Sequence, residues 1–342
     1  SIVKILDITT SYAGFAVVIS QIGYGLGLML LVPLGDLLNK RKLIVSLMIF
    51  AGISQILLSF STTLSTLYLF TLCATFGAIS AQVLIPFASS ISPPESSAAI
   101  VGKLMSGLVM GIILSRTFAG FVSNYWSWEG VYLSSGVITL LFATLMWRKL
   151  PNTQPQSDLN IVGIYRSLFQ IAQNNPHLIR RACAGALGFG ILSMVFTSMT
   201  FALGSAPYFF NDFEIGLFGL LGVIGIYSSS WSGKTVGLGK ENLVAKLCIS
   251  LMLFSCVPLF FAQQNIWIYA IGVLMSYFGL TAFHVLNQNL VYRIDAKARS
   301  RINAVYMTIY FSGAALGSLG AVYAWEHWQW IGCVALGLIF AI

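Results

Sequence analysis

The chain has 342 residues, of which 57% are hydrophobic and only 8% charged, and its formal net charge is +8. Soluble domains carry about 25% charged residues, so this composition excludes a water-soluble globule and makes lipid the solvent. It also excludes a nucleic-acid reading of the positive charge, because the cations sit in short loops between apolar runs and form no basic face.

A bilayer span needs about 20 apolar residues. Such runs fall, in chain order, at about 12–35, 43–60, 66–90, 99–122, 130–147, 178–202, 214–231, 243–261, 266–290, 302–323 and 331–342. They are too long and too continuously apolar for the alternating strands of a membrane barrel. Helices satisfy every backbone polar group within the segment, as lipid requires. The expectation is an all-α integral membrane protein with ten full spans and a short eleventh.

The basic residues alternate along these spans. Lys40, Arg41 and Lys42 form one cluster, Lys103 a second, and Arg148, Lys149, Arg166, Arg180 and Arg181 a third. Lys234, Lys240 and Lys246 form a fourth, and Arg293, Lys297, Arg299 and Arg301 a fifth. The turns between carry acids or a histidine instead, such as Asp212, Glu214, Glu326 and His327. Basic loops stay in the cytoplasm, so the alternation sets a topology. Only Lys4 and Arg116 break it. The five cysteines lie in apolar runs without CxxC spacing and read as buried apolar residues, so no metal site or cofactor is expected.

Residues 148–177 form the longest polar stretch, with Pro151, Pro155 and Pro176 as linker signals. Within it Ile161, Ile164, Leu168 and Ile171 recur at helical spacing, with Arg166 and Gln170 opposite. This predicts a short amphipathic helix at the membrane interface. It separates an N-terminal bundle, 1–147, from a C-terminal bundle, 178–342. The two sides repeat each other in order: Gly107-xxx-Gly111 with Gly313-xxx-Gly317, Trp126-Ser-Trp128-Glu-Gly130 with Trp328-Gln-Trp330-Ile-Gly332, and Leu43 with Leu243. Parallel helical halves related by an axis along the membrane normal are a transporter architecture.

Four stretches carry a family resemblance. Pro33-Leu-Gly-Asp36-Leu-Leu-Asn-Lys40-Arg41-Lys42 resembles the loop signature between helices two and three of the major facilitator superfamily, G-x-L-a-D-R-x-G-R-K. Leu34, Asp36, Lys40 and Arg41 match, while Val32, Leu37 and Asn39 depart from the pattern. The run from Ser106 through Gly107, Gly111 and Ser115 to Gly120 resembles the glycine-rich fifth helix of the family's antiporters, with Ile112 in place of the usual Pro. Gln82-Val-Leu-Ile-Pro86 and the stretch from Gln288 to Gly320 resemble bacterial efflux-type members. The resemblance implies two six-helix bundles. On that count the first span is helix two, helix one is missing, and the last helix is truncated, leaving about 11 of 12.

The resemblance implies a secondary transporter that moves a small molecule by alternating access, as proton-coupled efflux. The partners are then a small-molecule substrate, protons and the lipid bilayer. The expected setting is a bacterial inner membrane, as a multi-pass monomer. Asp36, Lys40 and Arg41 would form a gating loop, since an Asp at a helix end can pair with the cationic loop or with a neighbouring helix N-terminus. A topology-setting basic turn is the alternative.

Arg116 stands mid-span, where an Arg costs at least ~2.5–3.5 kcal/mol unless it faces a polar cavity or a partner. It either lines the cavity or is a structural Arg near Gln82 or Asn124. His284, with Gln288 one turn on, could relay protons or be a satisfied buried histidine. Gln21, Tyr24 and Gln82 are cavity-lining candidates at family-typical positions, or helix–helix glue. No Asp or Glu falls in the core of a span. No G-x-x-x-x-G-K-[ST], HExxH or GxSxG is present, which speaks against direct ATP use and against an enzyme. The competing readings are a truncated or degenerate homologue without transport activity, and a membrane sensor.

Overall fold

The computed structural model describes residues 10–153, 160–210, 214–215, 218–236, 238–263 and 265–341. Among the described residues twelve α-helices follow one another: α1 (Thr10–Leu30), α2 (Lys40–Ser59), α3 (Leu64–Gly77), α4 (Ser80–Ile91), α5 (Pro94–Tyr125), α6 (Trp128–Lys149), α7 (Ile161–Asn174), α8 (Pro176–Gly204), α9 (Ile224–Thr235), α10 (Glu241–Phe260), α11 (Ile266–Val291) and α12 (Arg299–Ala341). Short 3-10 turns, Val32–Asp36 and Gly219–Val223, precede α2 and α9.

Loop residues at the helix starts are hydrogen-bond acceptors, which is why the helices begin there. Asn39 accepts from the Lys42 amide at 3.1 Å and Asn265 from the Trp267 amide at 2.8 Å. Thr63 and Thr66 form a reciprocal capping box on α3. Among the described residues nine helical stretches are long and apolar enough to cross a membrane. The expected count was eleven. Two of the expected spans run together in α12, which breaks at Gln329 (φ 52°, ψ −144°). The expected span 214–231 is interrupted by the turn Gly219–Val223, so its helical part, α9, has only 12 residues. A sequence with Gly at 216, 219, 222 and 225 lacks the helix propensity to hold one long segment.

The chain forms two compact units. The first comprises Ser1–Ser90, Ser115–Asn174 and Asp295–Thr308. In it α2 packs along α6, and α1 and α2 against α3. The α2–α6 crossing needs glycine: a Cβ on Gly136 would lie 2.7 Å from the Gly52 carbonyl oxygen. The linker helix α7 belongs to this unit and is amphipathic as expected. Ile164 and Ser167 are buried, Leu168 and Ile171 half-buried, and Arg166 and Gln170 exposed. Ile161 departs from the expected stripe, being exposed at the helix start. The Tyr165 hydroxyl of α7 donates to the Leu30 carbonyl, and burial pushes its pKa up.

The second unit comprises Ile91–Leu114, Asn175–Ile294 and Ile309–Ile342. Its core is built around Met194, Val195, Leu203, Cys256, Leu259, Tyr269, Val273, Trp330 and Cys333. Here α12 meets α8 at Gly313 and Gly317, where an added Cβ would sit 2.1 Å from the Ala186 oxygen and 2.2 Å from the Gly190 oxygen. Small residues at four-residue spacing allow that approach. The matching repeat, Gly107 and Gly111, has no such neighbour: a Cβ at either would meet nothing within 4 Å. Two helices pass from one unit to the other along the chain, α5 after Leu114 and α12 after Thr308.

Candidate functional site

In the first unit the turn Val32–Asp36 brings Asp36 to the first turn of α12. The carboxylate is completely buried. One oxygen accepts from the Ser300 amide at 3.1 Å; the other accepts from the Arg301 amide at 3.1 Å and from Arg301 Nε at 3.0 Å. Arg301 is also buried, and its Nη1 donates to Ser167 Oγ of α7 at 2.9 Å. Asp36 therefore supplies, from 264 residues away, the N-terminal acceptor that α12 lacks. Charge-assisted bonds of this kind are about twice as strong as neutral ones. The turn fits closely because residue 35 is glycine: a Cβ there would lie 2.7 Å from Ser300 Oγ.

Lys40 and Arg41, expected beside Asp36 in one gating loop, point to aromatic rings. Lys40 is buried with Nζ 5.9 Å from the centre of the Phe87 ring. The Arg41 guanidinium lies 4.3 Å from the centre of the Trp147 ring, and its Nη1 donates to the Leu150 carbonyl at 3.5 Å. Such cation–ring contacts anchor the loop to α4 and α6.

Of the cavity candidates, the structure joins Tyr24 and Gln82, also in the first unit. Gln82 is buried and its Nε2 donates to the Tyr24 hydroxyl at 3.1 Å. The Gln82 carbonyl accepts from Asn303 Nδ2 at 2.8 Å, so α12 is bonded to this pair as well as to Asp36. Gln82 Oε1 is buried with no hydrogen-bond partner among the described residues. Gln21 is exposed. Arg116 lies on α5, and its side chain falls outside the described residues, as does Lys4.

His284 and Gln288 belong to the second unit, both buried on α11. The His284 ring lies 4.2 Å from the Tyr310 ring at 31°, and Tyr310 in turn stacks on Phe189 at 4.6 Å and 22°. Beside them Arg181 Nη1 donates to Asn287 Oδ1 at 3.0 Å. Sequence reasoning passed over Arg301, Ser167, Asn303, Arg181 and Tyr310. One signal for Arg301 was present: Arg299 and Arg301 open a helix with no acid in its first turn, where the helix dipole disfavours cations. Such an end needs an acid from elsewhere.

The Major Facilitator Superfamily model matches residues 1–318. An Escherichia coli O157:H7 protein named "Uncharacterized transporter YgaY" is 35% identical over 342 residues, covering 100% of this chain and 87% of that protein. "Probable transporter SCO4007" of Streptomyces coelicolor is 27% identical, covering 96% of this chain and 76% of its own. Among solved structures, the human organic anion transporter MFSD10 gives a TM-score of 0.75 at 14% identity, covering 94% of this chain and 80% of that one. The proton:xylose symporter XylE bound to 6-bromo-6-deoxy-D-glucose gives 0.70 at 14%, covering 99% and 88%. These two share the fold. The family match and the 35% identity go further: the chain belongs to the major facilitator superfamily, with its two-bundle helical fold, and is a multi-pass membrane transporter rather than an enzyme.

Proposed function

We propose that this transporter moves a small molecule by alternating access as a proton-coupled secondary exporter of a bacterial inner membrane. The moving bodies are the bundles 1–147 and 178–342, joined by the linker 148–177. The observation that carries this reading is the Asp36–Arg301 clamp. Its bonds fasten the loop before α2 to the first turn of a helix that continues into the other unit. It lies on the side of the basic loops, assigned to the cytoplasm by the charge pattern. A cytoplasmic entrance would open when the three bonds to Asp36 release and close when they reform. Asp36 is the gate's latch, and Lys40 and Arg41 hold the loop that carries it.

In this reading Tyr24 and Gln82 in the first unit, His284 and Gln288 in the second, and Arg116 of α5 are the residues that handle the substrate. Gln82 Oε1 is buried and open to a donor from a solute. In this reading His284, a titratable side chain within a span, carries the proton. Coupling to protons also follows the neighbour described as a proton:xylose symporter.

The test is counterflow in proteoliposomes loaded with labelled sugars, amino acids, organic anions and hydrophobic drugs in turn. Alternating access predicts that one class exchanges, and that an imposed proton gradient drives its accumulation. Binding without exchange would overturn transport in favour of a sensor. Exchange indifferent to the gradient would overturn proton coupling alone.

A further inference from the structure

In the second unit three hydroxyls from two spans meet where α8 passes α12. Ser193 Oγ and Ser318 Oγ share a hydrogen bond of 2.6 Å, and Thr197 Oγ1 donates to Ser318 Oγ at 3.0 Å. No further hydrogen bond reaches these three side chains among the described residues. A Ser or Thr inside a helix ordinarily turns its proton back to the carbonyl three or four residues earlier, as Ser198 does to Met194 at 2.8 Å. Ser193 and Thr197 instead reach across to Ser318. Three protons and two bonds leave one proton without an acceptor. It sits on Ser193 when Ser318 donates to that residue, and on Ser318 when Ser193 is the donor.

Phe189, Ser193 and Thr197 recur at four-residue spacing on one face of α8. All three are half-buried, as are Phe311 and Ser318 on α12. The flanks of this stripe are packed: an added Cβ would lie 2.8 Å from Met252 Sδ at Gly188 and 2.9 Å from Phe340 Cδ2 at Gly190. Rings border the hydroxyls. Phe189 meets Phe311 edge to face at 5.4 Å and stacks on Tyr310, which lies against the His284 ring. Phe196, three residues after Ser193, meets Tyr277 edge to face at 5.7 Å. No Asp, Glu, Lys, Arg or His occurs in residues 182–204 or 302–325. A charged group brought here would lose its water with no counter-charge on either helix. A neutral oxygen would instead accept the remaining proton, and the bonds already in line strengthen the one it makes.

We propose that Ser193 and Ser318 bind a neutral aromatic solute through one acceptor oxygen, a carbonyl or an ether, with its ring against Phe189 and Phe311. The proposal deepens the transport reading: it rests on that reading for calling the solute a cargo, and on the hydroxyls and rings for its class.

Equilibrium dialysis of tritiated coumarin against the purified protein in an uncharged detergent tests it, with protein-free micelles as the blank. Coumarin is a neutral bicycle with a lactone carbonyl. Naphthalene has two fused rings of the same size and no acceptor, and coumarin-3-carboxylate adds a charge. Saturable binding is expected, displaced by unlabelled coumarin and at least about tenfold less well by naphthalene or the carboxylate. Ser193→Ala with Ser318→Ala removes both hydroxyls that can hold the outward proton. It should weaken coumarin by at least about fivefold and leave naphthalene unchanged. Thr197→Val keeps the side chain's shape and both of those hydroxyls, and should weaken coumarin less. No saturable binding, equal displacement by naphthalene, or full affinity in the double variant would overturn the proposal. If the double variant is not monodisperse, the displacement series on the unmodified protein decides it. Counterflow is a separate readout: coumarin bound but not exchanged would support the site and count against transport.

Discussion

Two ion pairs tie basic-side loops to the region around residue 300, and they differ in almost every physical respect. Asp36–Arg301 is separated by 3.0 Å, with side-chain exposures of 0% and 9%. Glu241–Arg293 is separated by 3.8 Å, with exposures of 20% for Glu241 and 54% for Arg293. The first also receives two backbone amides; the second is solvated. Exposed pairs contribute about 0–1 kcal/mol and are screened by salt. A buried charge stripped of its partner costs about 3–5 kcal/mol. Like-looking charges on equivalent loops are thus a buried clamp in one place and a surface contact in the other. The second-half loop Gly233–Lys240 has no acid of its own, and Glu241 is the next residue.

The largest expected effect comes from breaking the buried member. Asp36→Ala leaves the Arg301 Nε and two helix-start amides unmet, and thermal unfolding in detergent should show a loss of about 3–5 kcal/mol. Next comes the packing contrast between the two glycine repeats. Gly313→Ala forces a Cβ into the Ala186 carbonyl and should lower stability by about 1–3 kcal/mol. Gly107→Ala and Gly111→Ala meet open space and should leave it unchanged or raise it by up to about 1 kcal/mol each, as Ala favours helix. Equal losses at both repeats would break the comparison.

Ser167→Ala removes one acceptor from Arg301 while sparing Asp36, and should lower stability by about 1–3 kcal/mol, the cost of a charged donor left unmet. The smallest effect is expected for Glu241→Ala, about 0–1 kcal/mol at low salt and vanishing at high salt. The Asp36→Ala loss should persist at high salt. A salt-sensitive Asp36 or a salt-insensitive Glu241 would invert the distinction between the pairs.

Much of this was legible before the structure. Hydrophobic run length and loop charge gave most of the spans, because lipid imposes both, and the order of the repeats pointed to a two-bundle fold. Asp36 stood out as an acid in a basic loop. Its partner did not, because a contact across 265 residues leaves no local period, and Arg301 sat among four cations that topology already explained. The glycine repeats share one spacing yet have opposite surroundings. Spacing reports which face a residue occupies, and only the neighbouring helix decides whether that face is packed. Gly130 and Gly332 are the contrary case. A Cβ on each would crowd the Cβ of the tryptophan four residues earlier, Trp126 and Trp328, so this repeat is locally determined and readable.

The central claim is that the clamp must open in every transport cycle. Gly35→Cys with Ser300→Cys, in protein lacking its five native cysteines, places the two Cβ atoms about 3.2 Å apart, close to the spacing of a disulfide. Counterflow of the solute that the unmodified protein exchanges should stop when this pair is oxidised and return when it is reduced. Full exchange by the oxidised, cross-linked protein would contradict the account.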